Sequence, residues 1–110
     1  MKYNDVTLTK ISEILKVMSE PMRLKILQSL HEGERSVTDI LKETGGHQAN
    51  VSKHLGILRR MGLVACRKDG LNVYYCLSDD SIFLICDGIC DYLKRKIIKD
   101  QELLSSLESS

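Results

Sequence analysis

The chain predicts a mainly α fold of five helices and two antiparallel strands, and three observations predict it. Apolar residues recur at helical spacing near both ends of the chain. A Gly-Gly pair separates two amphipathic stretches between Ser36 and Val64. Beyond Gly62 the apolar period drops from about 3.6 residues to about 2 around an Asp-Gly pair.

Residues 1–6 carry no helical pattern and are expected to fray. From Thr7 to Met18, Leu8, Ile11, Leu15 and Met18 share one face with Ile14 beside it, an amphipathic helix with nothing yet to pack on. Ser19-Glu20-Pro21 is a start signal, because proline is tolerated in a first turn. The helix it opens turns Met22, Ile26, Leu27 and Leu30 inward and stops at Gly33. Ser36 then caps a short helix, with Asp39 completing a weak capping box and Gly45-Gly46 ending it.

The next helix begins near His47 or Gln48 and closes at Gly62. At about 100° per residue its buried stripe collects Val51, Leu55 and Leu58. The opposite side collects Ala49, Lys53, Gly56 and Arg60, flanked by Asn50 and Ser52. Small residues let a helix axis approach a groove, and long amide and basic side chains reach base edges and phosphates. No acid occurs between Glu43 and Asp69, which an ordinary solvated helix would carry.

Leu63 to Lys68 and Leu71 to Leu77 read as strands joined by Asp69-Gly70, a strong hairpin signal. That turn places Lys68 opposite Leu71 and Cys66 opposite Val73, with Val64, Cys66, Val73 and Tyr75 on one face. Arg67 and Lys68 project near the tip. A basic-tipped hairpin after a helix-turn-helix is a wing, so the fold class is winged helix-turn-helix. Asp79 or Asp80 caps a last helix to about Lys99, striped by Ile82, Cys86, Ile89, Leu93 and Ile97. Residues 1–99 therefore form one domain that includes dimerisation helices, the first and the last, and 100–110 a polar tail.

The net charge of +1 is too small to argue for nucleic acid; the clustering of Lys53, Arg59, Arg60, Arg67 and Lys68 is what matters. A second cluster, Lys94-Arg95-Lys96 with Lys99, reads as complement to the last helix's dipole. No apolar run spans a bilayer and no leader pattern opens the chain, so a cytoplasmic location with four reduced cysteines is expected. No glycine-rich phosphate loop, carboxylate pair or nucleophile–base motif suggests an enzyme.

The segments MSEPMRLKILQSLHEGE, QANVSKHLGILRRMGLV and RKDGLNVYYCL together resemble the ArsR/SmtB family, over roughly Ile14 to Cys90. The resemblance implies a homodimeric winged-helix repressor that binds a palindromic double-stranded operator and leaves it on metal binding or chemical modification. It places the face of Gln48, Ala49, Ser52 and Lys53 in the major groove. With Asn50, Arg60, Arg67 and Lys68 these make the expected DNA-binding set. Gly46-His47 departs from the family pattern, where an apolar residue and a serine are usual.

The family's sensing positions are mostly vacant. Ser36 and Thr38 stand where one thiolate site needs cysteines, and His31, His47 and His54 all precede the wing, away from the last-helix zinc site. His54 reads as a packed or DNA-proximal side chain. Cys86 and Cys90 remain, at i and i+4 with β-carbons roughly 5–6 Å apart. They are either a thiol-sensing or soft-metal site, for As(III), Cd(II) or Zn(II), or small buried hydrophobes in a regulator with no inducer. Cys66 and Cys76 point to opposite faces of the hairpin.

Overall fold

The computed structural model describes residues 2–109, in two compact units that divide between Asp79 and Asp80. The first unit runs α1 (Asp5–Met18), α2 (Pro21–Ser29), β1 (Arg35–Ser36), α3 (Val37–Thr44), α4 (Gln48–Arg60), β2 (Val64–Asp69) and β3 (Asn72–Leu77). The second is a single helix, α5 (Ile82–Glu108).

α1 starts two residues before the expected Thr7, because Asn4 is its cap: Asn4 Oδ1 accepts from the Thr7 amide at 2.9 Å. The expected fraying therefore gives way to helix from Asp5 onward. Its end is held, with Val17 and Met18 buried, but Leu8, Ile11 and Leu15 are each about 40% exposed (45%, 38% and 44%).

α2 packs on α3 and α4, and the core of the unit is Ile26, Leu27, Leu30, Ile40, Val51, Leu55, Leu58 and Val64. Each such side chain taken fully from water contributes roughly 1.5–3 kcal/mol. Ser36 caps α3 by accepting from the Asp39 amide, and Gly45 ends it in the left-handed region at φ 71°.

A strand not anticipated precedes α3. β1 pairs Arg35 with Tyr75 and Ser36 with Tyr74, giving a three-stranded antiparallel sheet in the order β1-β3-β2. Ser36 thus serves as the last strand residue and as the helix cap.

The hairpin register also differs from the expected one. Asp69 pairs with Asn72 and Cys66 with Tyr75, so the two loop residues are Gly70 and Leu71. Among the described residues only glycines have positive φ, and Gly70 is at 62°. A positive φ at the first loop position alone is the pattern of a type II′ turn, which needs glycine first; an Asp-Gly type I′ turn needs it at both. Each partner moves by two, an even slip, so the face shared by Val64, Cys66, Val73 and Tyr75 is kept.

α5 overruns the expected tail. Residues 100–108 are helical, and Ser81 rather than Asp79 or Asp80 holds the cap position. The reason lies in the chain: no proline or glycine follows Gly88, and Leu104 and Leu107 prolong the Leu93–Ile97 stripe. The cluster Lys94-Arg95-Lys96-Lys99 consequently sits mid-helix, where the dipole account does not apply, and Lys96 pairs with Asp100 at 3.9 Å.

Candidate nucleic-acid interface

The core stripe of α4 decides what the helix presents outward. Val51, His54, Leu55 and Leu58 are buried, and Gln48, Ala49, Asn50, Ser52, Lys53, Arg59 and Arg60 are exposed. The N-terminal half therefore shows small and amide side chains with one lysine, and its first turn contains no acid. Arg59 and Arg60 fall in the last turn, where they also complement the helix dipole.

The start of α4 depends on Gly46. A β-carbon there would stand 2.6 Å from Val51 Cγ2 and 3.1 Å from Met22 Cε. Glycine lets the α3–α4 turn close directly over the core. His47 occupies the cap position without a side-chain bond to the helix, so packing rather than capping seats the helix start.

At the wing the two basic residues part ways. Arg67 lies over the Tyr74 ring, 4.8 Å from its centroid, and reaches across the central strand to Glu34. Its Nε and Nη2 donate to the two carboxylate oxygens at 2.8 and 2.7 Å, and Asp69 stands 3.8 Å away. This forked bond holds the Glu34 carboxyl below its usual range and raises Arg67 further. Arg67 is thus engaged within the protein, whereas exposed Lys68 forms no ion pair among the described residues.

Behind the exposed face lies a contact that composition gave no hint of. Arg23 Nε donates to His54 Nδ1 at 3.0 Å while its Nη1 donates to the Val17 carbonyl at 3.1 Å. Burial and the adjacent Arg23 cation hold His54 below its ordinary pKa. Sequence reasoning passed over Arg23 and Glu34, whose partners lie 31 and 33 residues away.

The two thiols of α5 lie on one side of that helix, Cys86 half-buried and Cys90 exposed. Burial, aided by Asp87, pushes the Cys86 thiol up, away from thiolate. No group of three or more His, Cys, Asp or Glu positioned for a metal occurs among the described residues. No helix is long and apolar enough to cross a membrane, among the same residues.

Comparison with known proteins converges on one group. Residues 20–65 match the family model described as bacterial regulatory protein, arsR family. The chain is 39% identical over 72 residues to the uncharacterized HTH-type transcriptional regulator Rv0081 of Mycobacterium tuberculosis, covering 64% of this chain and 63% of that protein. The first curated relatives are thus matched over less than two thirds of their length. A biofilm growth-associated repressor of Agrobacterium fabrum is 32% identical over 81 residues, 74% of this chain and 69% of its own. Among solved structures, Rv0081 superposes with TM-score 0.71 at 30% identity, over 90% of this chain and 98% of that one. The homodimeric winged helix-turn-helix DNA-binding domain of Mb0332 from Mycobacterium bovis, a possible ArsR-family regulator, gives 0.72 at 28% identity, over 86% and 94%.

Proposed function

This chain belongs to the ArsR family of bacterial regulatory proteins, and from that premise we propose that it is a homodimeric, sequence-specific DNA-binding repressor. The observation that carries the reading is the face of α4: Gln48, Ala49, Asn50, Ser52 and Lys53 exposed together on a helix whose other side is locked into the core. Gln48 and Asn50 read base edges, Ala49 and Ser52 allow close approach, and Lys53 and Arg60 meet phosphate. The wing adds Lys68, and Arg67 acts there by shaping the hairpin. Repression is supported by the name of the Agrobacterium relative, and dimerisation by that of the Mb0332 domain.

The uncovered apolar stripes of α1 and α5 supply the dimer surface in this reading. Two copies place two α4 helices about one DNA turn apart, roughly 34–36 Å, to read a palindrome. The test is selection from a randomised duplex pool by the full chain. Enrichment of a two-fold symmetric sequence, bound far more tightly than a random duplex, is the expected result. Equal binding of both would sink the reading.

Release belongs to Cys86 and Cys90. They are the thiols at chelating spacing, and a second copy would double the sulfurs available to As(III), Cd(II) or Zn(II). Persulfidation or oxidation is the alternative chemistry at the same pair. One observation favours a rival regulator with packed cysteines and no inducer: burial pushes the Cys86 thiol up, the opposite of the shift that activates a thiol.

A further inference from the structure

One guanidinium joins three helices. Arg23, on α2, donates through Nη1 to the carbonyl of Val17, in the last turn of α1. A helix end leaves such carbonyls without intrahelical donors, and a cation there also meets the negative end of the dipole. The same side chain donates through Nε to His54 Nδ1, on the buried side of α4. His54 is 7% exposed and Arg23 is half-buried, so the bond is part-buried.

The direction of the bond defines the imidazole. An arginine only donates, so Nδ1 is the acceptor and the ring proton sits on Nε2. Protonation would put an N–H on Nδ1 against the Nε–H of Arg23 and end the bond. The charged groups acting on the ring are Arg23 and Glu20 at the start of α2 and Lys53 on α4 itself. The two cations oppose protonation and Glu20 favours it.

We propose that Arg23 and His54 are positioning residues for the recognition helix, setting α4 relative to the end of α1 for as long as His54 is neutral. The proposal rests on α4 being the DNA-reading helix. The planar fork of arginine suits the task, because its two donors have a set spacing that a lysine lacks. A helix held only by Val51, Leu55 and Leu58 could still roll a little about that stripe. The link from Arg23 removes that freedom and ties it to α1, whose outer face carries the proposed dimer contact.

The experiment compares wild type with Arg23→Lys, His54→Leu and His54→Asn. Asparagine offers a neutral oxygen near the Nδ1 position and does not titrate. Affinity is measured from about pH 4.5 to 8, carried well to the acid side because His54 is held below its ordinary value, for a duplex enriched by the wild type and for a random duplex. Wild-type affinity for the enriched duplex is expected to fall toward acid pH while random binding changes little. His54→Asn should keep most of the neutral-pH affinity with a flat profile. Arg23→Lys and His54→Leu should each lose about fivefold or more on the enriched duplex, and the double variant no more than the worse single. Hydrogen exchange without DNA gives an independent readout. In Arg23→Lys, amides in the last turn of α1 and the middle of α4 should speed up together, ahead of the rest of the chain. Unchanged discrimination and pH profile in Arg23→Lys and His54→Leu would overturn the proposal, as would a uniform rise in exchange. If the wild type enriches no duplex, the DNA reading fails and the paired exchange response alone decides the link.

Discussion

Glycine 46 shows how much can rest on a missing methyl group. Its neighbours are Val51 Cγ2 at 2.6 Å and Met22 Cε at 3.1 Å from where a β-carbon would be. Met22 can swing aside, but Val51 is β-branched within a helix and has little χ1 freedom. Gly46→Ala should therefore cost about 1–3 kcal/mol of stability in urea unfolding, as overpacking does. A variant as stable as wild type would mean the α3–α4 turn opens without penalty. Gln48 poses the complementary case, an exposed side chain whose loss the fold should not register. Gln48→Ala should relax discrimination at one position per half-site by about 1–3 kcal/mol, with unfolding unchanged. Equal losses on enriched and random duplexes would remove it from base reading. The exposure of Gln48, Ser52 and Lys53 was legible because helical periodicity alone turns them away from Val51 and Leu55. The engagement of Arg67 was not, since a charge next to a turn gives no sign of a carboxylate 33 residues earlier in the chain.

Elements follow the same division between local pattern and distant pairing. α2, α3 and α4 were legible from apolar spacing, a proline, a serine cap and a glycine, each acting within one turn, although α2 ends at Ser29, short of the expected Gly33. β1 has two residues and no period of its own, so only its pairing with Tyr74 and Tyr75 defines it. The turn shifted because Gly70 settles at the first loop position instead of the second. The end of α5 lies beyond Lys99 because polar composition is no stop signal by itself, and the leucine spacing continues through Leu104 and Leu107. For the wing, the consequence is a split between its two cations. Lys68→Ala should flatten the salt dependence of DNA binding by about one unit per subunit. Arg67→Ala should change it less and instead speed amide exchange in β2 and β3, because it removes the brace to Glu34. The reverse order would show that Arg67 leaves Glu34 for phosphate. For α5, Cys86→Ser and Cys90→Ser should each keep reduced-state DNA binding and abolish release by whichever of As(III), Cd(II), Zn(II), persulfide or peroxide releases the wild type. A normal response in both variants assigns release elsewhere, and no response in the wild type favours the regulator without an inducer.

At the scale of the whole molecule the question is what covers the apolar stripes. α1 leaves Leu8, Ile11 and Leu15 exposed at 45%, 38% and 44%, and α5 leaves Ile89, Leu93 and Ile97 at 52%, 50% and 55%. Single exposed leucines are ordinary on protein surfaces, but rows at helical spacing on two helices are what the proposed dimer would cover. A two-fold pair made through these helices repeats each contact across the axis, so one charge introduced into the stripe acts twice. Ile11→Glu and Ile97→Glu should therefore each shift the protein toward monomer at micromolar concentration in sedimentation. Circular dichroism should stay that of the folded chain, because neither side chain belongs to the core of its own copy. Affinity for the enriched palindrome should collapse toward that for a half-site, while weak binding to random DNA persists through the α4 and wing cations. A wild-type monomer that binds the palindrome at full strength would contradict the dimer. Retention of dimers by both variants would move the interface off these two stripes.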